Sequence, residues 1–145
     1  METRLDRDAL EKLRDTKRGR KSLRLNSSET VEHEFRAFEP PRYAYVRFEC
    51  GPADDLSFEV RALWPPTVTD SYRRDLELAA AEGVADVLLE GVYQHSGCRV
   101  VLADVRYDEI ESSVAAFMKA AASAMRSLLS KKWIPVEVPR ARSDS

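Results

Sequence analysis

Two histidines, His33 and His95, and two cysteines, Cys50 and Cys98, are all that the 145-residue chain offers for imidazole or thiol chemistry. A catalytic triad or a three-histidine metal site would have to be built from very little, and the cysteines stand far apart outside any C-x-x-C. That spacing gives neither a disulfide framework nor a zinc site, so buried thiols are the plain expectation. His95, within Tyr93-Gln94-His95-Ser96-Gly97, reads as part of a polar turn. No GxxxxGK[ST], GxGxxG, HExxH or GxSxG string occurs, which removes the common phosphate-binding and hydrolytic signatures. Asp104, Asp108, Glu109 and Glu111 crowd into eight residues, but without the spacing of a calcium loop. Their position just before a helix is explained by the positive end of its dipole. The residues therefore point to binding rather than catalysis, with no enzyme activity, cofactor or metal expected.

The chemistry that remains is charge. From Lys12 to Arg24 the run KLRDTKRGRKSLR holds seven basic residues (Lys12, Arg14, Lys17, Arg18, Arg20, Lys21 and Arg24) against the single acid Asp15, a local +6. The whole chain carries −2, so the remaining residues sum to −8. A basic arm ahead of an acidic body is the asymmetry expected of a terminus that touches a polyanion; a solvated segment is the plain alternative. Arg42, Tyr43, Tyr45 and Arg47 interleave charge and aromatic rings along one segment, as single-stranded RNA platforms do. The same pattern also describes a half-exposed strand.

These residues need elements to hold them. At 43% hydrophobic and 33% charged, the chain has the composition of one ordinary domain. No run approaches the roughly 18–20 apolar residues of a membrane helix, and the first residues lack the apolar core of a signal peptide; a cytoplasmic protein is expected. Period-two alternation runs from Thr30 to Leu63: TVEHEFRAF, a Pro40-Pro41 turn, RYAYVRFEC, the turn GPADD, then LSFEVRAL, three antiparallel strands in meander order. Trp64-Pro65-Pro66 ends the sheet segment. Thr67 or Thr69-Asp70 then caps a helix to Gly91, SGCRVVLADVRY is a fourth strand, and Ser112 or Ser113 caps a second helix ending at Lys131-Lys132. WIPVEV is a last short strand or strap. The order β-β-β-α-β-α predicts an α+β fold with two helices packed on one face of a mainly antiparallel four-stranded sheet. Residues 1–29 are expected to be a basic arm, partly helical or disordered, 30–138 the domain, and 139–145 a tail.

One string resembles a known family. Val101–Met125, VLADVRYDEIESSVAAFMKAAASAM, is similar to the C-terminal part of domain IV of elongation factor G and related ribosome-binding GTPases. There, a strand ends in T-L-Y-D-G-S-x-H-x-V-D-S-S and continues into a helix with A-F-x-x-A-x-x-x-A. Leu102, Asp104, Ile110, Glu111, Ser112-Ser113, Ala116-Phe117, Ala120 and Ala124 fall on that pattern without a gap. Weaker similarity in element order extends back to about Thr30, so the resemblance covers roughly residues 30–136. It implies a left-handed β-α-β crossover, against the usual right-handed rule, and two loops at the distal tip that contact RNA in the decoding site. This chain departs in both loops. Phe38-Glu39-Pro40-Pro41-Arg42-Tyr43 holds no glycine, and Val105 and Asp108 stand where the family has glycine and histidine. A carboxylate there turns like charge toward phosphate, while Arg106 and Tyr107 still offer one phosphate contact and one stack.

The expected function is therefore a stand-alone, GTPase-less relative of this domain. It would bind the ribosome or another structured RNA by occupancy, using the basic run with Arg42, Tyr43, Arg106 and Tyr107. No nucleotide and no membrane are expected among its partners. The alternative is a protein-interaction module or homodimer that kept the fold and lost the RNA-contacting tip.

Overall fold

In the computed structural model, which describes residues 3–4 and 21–136, the longest strand is the pivot. The strands are β1 (Thr3–Arg4), β2 (Lys21–Leu25), β3 (Glu29–Phe38), β4 (Pro41–Pro52), β5 (Ser57–Val60), β6 (Tyr93–Arg106) and β7 (Trp133–Pro135). The helices are α1 (Asp70–Leu88) and α2 (Val114–Leu129). β4 runs antiparallel to β6 from Tyr45↔Arg106 to Pro52↔Cys98, while β5 runs parallel to it from Ser57↔Arg99 to Val60↔Leu102. Both pair with the same residues of β6, so they lie on its opposite edges. β3 pairs beyond β4 and β1 beyond β5. At the start of β6, β2 pairs parallel with Tyr93, Gln94 and Gly97, and β7 closes antiparallel on β2.

The expected α+β class and two helices are present, and the sheet differs from the expected four antiparallel strands. Among the described residues it has seven strands and is mixed, because β2 and β5 both run parallel to β6. A parallel neighbour needs a crossover, and α1 supplies it between β5 and β6. The arm expected over 1–29 gives way to the sheet at Lys21. Leu25 is wholly buried in the core, and the surrounding lysines and arginines mask this short strand in the sequence. Residues 137–145, including the expected tail, lie outside the described residues.

The helices start and stop where their chemistry dictates. Thr69 caps α1 by accepting from the Tyr72 N–H at 3.3 Å, and Gly91 just past its end has φ +85°, a conformation glycine tolerates. Ser113 caps α2, accepting from the Ala116 N–H at 3.1 Å. The two helices pack so tightly that a Cβ on Gly83 would come 2.4 Å from the Met118 carbonyl oxygen. Between helices and sheet lie Phe48, Leu76, Leu88, Leu102, Phe117, Met125 and Leu128, all fully buried. Cys50 and Cys98 are free and buried among them, as expected. The adjacent Cys98 thiol and burial push the Cys50 thiol far up, which keeps it protonated. No described helix is long and apolar enough to cross a membrane.

A bulge decides which β6 side chains face outward. Arg47 pairs with Asp104 but Phe48 pairs with Leu102, leaving Ala103 as the extra residue. Leu102 and Val105, three apart, therefore both face the helices, opposite Phe48 and Val46. Asp104 and Arg106 turn to the helix-free face, opposite Arg47 and Tyr45.

Candidate functional site

The hairpin tip of β3 and β4 and the loop from Tyr107 to Ser113 meet at one end of the sheet. Ser112 joins them: its hydroxyl donates to the Tyr43 carbonyl at 2.7 Å and accepts from the Asp108 N–H at 2.9 Å. The Tyr43 N–H also donates to the Glu111 carbonyl at 3.1 Å. Asp108 shapes the loop from inside, because its Oδ1 accepts from the N–H groups of Ile110 and Glu111, both at 2.9 Å. The two serines thus divide the work. Ser113 is the helix cap, and Ser112, expected as an alternative cap, instead ties the two loops together.

The rings expected to receive RNA bases are already engaged. The Tyr43 hydroxyl donates to Glu34 Oε2 at 3.1 Å, and the Arg36 guanidinium lies 4.7 Å from its ring centroid. Tyr45 repeats the arrangement with Glu32 beneath its hydroxyl and Arg106 4.4 Å over its ring. Burial, then the carboxylate partner, pushes both phenols up. Tyr107 packs edge-on to Trp64 and to Tyr72, each at 6.4 Å, and burial raises its phenol as well. Tyr43 and Tyr107 are therefore structural, not free stacking platforms. Arg106 is exposed and Arg42 half-buried. Arg24 is exposed and lies 3.9 Å from Asp54. Lys21 opens β2, while Lys12, Arg14, Lys17, Arg18 and Arg20 lie outside the described residues.

Beside Arg36 and Arg106, this end exposes apolar and acidic groups. Phe38 is 76% exposed and Ile110 91%, flanked by exposed Glu39, Asp108 and Glu109. Among the described residues no three His, Cys, Asp or Glu side chains converge as a cation site requires.

A second site escaped the sequence. Glu77 of α1 is 1% exposed and lines a cleft of about 280 Å³ with Trp64, Pro65, Pro66, Val68 and Arg73. The Trp64 indole N–H donates to Glu77 Oε2 at 3.0 Å. Burial pushes the Glu77 carboxyl up, opposed by that hydrogen bond and by Arg73. Helical spacing could have flagged it, since Glu77 stands between Leu76 and the buried Ala80 and Ala81, where a charge is costly.

No family model and no curated protein matches the chain. Among solved structures, the crystal structure of ttk003000868 from Thermus thermophilus is similar to it, with a TM-score of 0.57 and 22% identity. The likeness covers 74% of this chain but 16% of that one, so the chain spans about a sixth of the relative's length. At this identity the two share a fold.

Proposed function

We propose that the chain is a non-catalytic binding domain of the elongation factor G domain IV type, with a left-handed β5–α1–β6 crossover. It acts by occupying a site on the ribosome or another structured RNA. The observation that carries this reading is the Ser112 lock. It unites the hairpin tip and the β6–α2 loop into one end, the arrangement that the family resemblance implies for RNA contact. The matched positions support it further: Leu102, Ala116, Phe117, Ala120 and Ala124 are all fully buried, and Ser112 and Ser113 hold the loop and the helix start. The run Lys12 to Arg24 supplies the attraction to phosphate.

The test is co-sedimentation with ribosomal subunits across about 50–300 mM salt, a range over which phosphate contacts weaken steeply. Lys17, Arg18, Arg20 and Lys21 are neutralised to Gln in place, because truncation through residue 25 would remove β2. Saturable binding that weakens with salt, and a flatter salt dependence in the variant, are expected. A variant that binds as wild type at every salt concentration overturns the reading.

Exposed Phe38 and Ile110 among acids favour a second reading, a docking end for a basic protein surface. Its mark is binding that survives high salt and disappears in a Phe38→Ser, Ile110→Ser double variant.

A further inference from the structure

β3 is an edge of the sheet: among the described residues it pairs with β4 alone. Such an edge offers unpaired N–H and C=O groups to any strand that reaches it, and proteins usually blunt it with a proline, a lysine, a bulge or a very short strand. β3 has none of these. Its ten residues, ETVEHEFRAF, pair with β4 in one unbroken register.

One hydrogen bond fixes which backbone groups point outward. The Tyr43 N–H donates to the Glu111 carbonyl, away from β3, so Arg36, its partner in register, turns its own N–H and C=O away from β4. Antiparallel pairs alternate in this respect, and Thr30, Glu32 and Glu34 therefore share the outward set. Their side chains, like that of Arg36, are exposed.

A second copy of the same strand, running antiparallel, is the partner that fits. Outward groups must meet outward groups, so only even-numbered residues can pair across the edge, and charge chooses among the registers that remain. Centring the pair on Glu34 or on Arg36 sets like charges directly opposite, and sliding it toward Glu29 sets Glu32 against Glu34. Centring it on Phe35 sets each Glu34 against the Arg36 of the other copy, two opposite-charge pairs from one two-fold axis. The half-buried Phe35 then meets its own copy on the helix side, an aromatic cross-strand pair. The Lys119 ammonium, 5.7 Å from that ring centroid, sits on a long flexible stem that can move aside.

We infer that this protein self-associates as a two-fold dimer through the outer edge of β3, with Glu34 and Arg36 paired across the axis and Phe35 on it. The inference goes beyond the RNA reading and stands apart from it, because it uses neither the basic run nor the Ser112 lock.

Sedimentation equilibrium of the full chain, from micromolar to near-millimolar concentration, reads the association, and a concentration-dependent dimer is expected. Glu34→Arg alone and Arg36→Glu alone each set like charges across the axis and should weaken the dimer at least about tenfold. Mixed in equal amounts, the two variants again place opposite charges face to face, and a heterodimer of near wild-type affinity should form. Restoration on mixing separates pairing at this edge from damage to either variant. In wild type, the outward amides of Glu34 and Arg36 should exchange more slowly as concentration rises, a readout that needs no variant. A monomer at every concentration overturns the inference. So does a dimer that both single variants retain, a mixture of folded variants that stays monomeric, or exchange at Glu34 and Arg36 that ignores concentration.

Discussion

Ser112 shows how one hydroxyl can serve two elements. It is 7% exposed, donates to the Tyr43 carbonyl and accepts from the Asp108 N–H, so its removal orphans two backbone groups. Ser112→Ala is expected to cost about 1–3 kcal/mol, measured by urea unfolding, and to speed amide exchange at Asp108. The sequence displayed the serine pair but not its division, because a cap and a cross-link both favour serine before a helix. Glu77 was legible only through its helical spacing to Leu76, Ala80 and Ala81, because a glutamate on a helix otherwise reads as solvated. His95 gives a pH prediction. Its ring lies 4.7 Å from Trp133, and burial lowers its pKa below the ordinary 6.5. Below pH 6.5 the unfolded chain binds a proton that the folded chain resists, so this contribution to stability is complete above that pH. It is lost as pH falls through the lowered folded value. Urea midpoints should therefore fall from about pH 7 to about pH 5 more steeply in wild type than in His95→Asn. Parallel profiles for the two proteins would remove His95 as the cause.

The elements were legible where one periodicity ran unbroken. Val31, Phe35, Ala44, Val46, Phe48 and Cys50 alternate cleanly, the Pro40-Pro41 turn closes the hairpin, and Thr69, Gly91 and Ser113 mark helix ends. What stayed illegible involves pairing between distant segments. β2 is five residues inside a basic run, and the bulge at Ala103 shifts the alternation of β6 midway, so Val105 faces inward against the simple pattern. Parallel pairing of β5 with β6 leaves no local mark at all. The helix pair offers a test at this scale. Gly83→Ala drives a methyl toward the Met118 carbonyl, backbone that can yield only by separating α1 from α2. A loss of about 1–3 kcal/mol is expected, read as a lower Tm. Gly51→Ala, where the nearest atom is Ser28 Oγ at 3.8 Å, is the control and should leave Tm within about a degree or two of wild type. Equal melting of the two variants would mean that the helices are less closely packed than described.

Across the whole molecule, charge and fold are separately distributed, and β2 is where they meet. The run from Lys12 to Arg24 carries +6 and the remainder −8, yet the last third of that run enters the sheet, with Leu25 sealed directly behind it. A protein built this way can lose the charge of the run without losing its core, whereas loss of the strand exposes the core. Leu25→Ala should accordingly cost about 2–5 kcal/mol, because Leu25 is 0% exposed and β2 bridges β6 and β7. Neutralising Lys17, Arg18, Arg20 and Lys21 together should change stability by no more than about 0.5 kcal/mol while reducing binding to ribosomal subunits. Measured side by side, the two variants separate a fold determinant from a binding determinant a few residues apart. If the charge variant lost stability along with binding, these four side chains would be fold determinants as well. The attraction to phosphate would then have to come from Arg36, Arg42 and Arg106 at the Ser112-locked end.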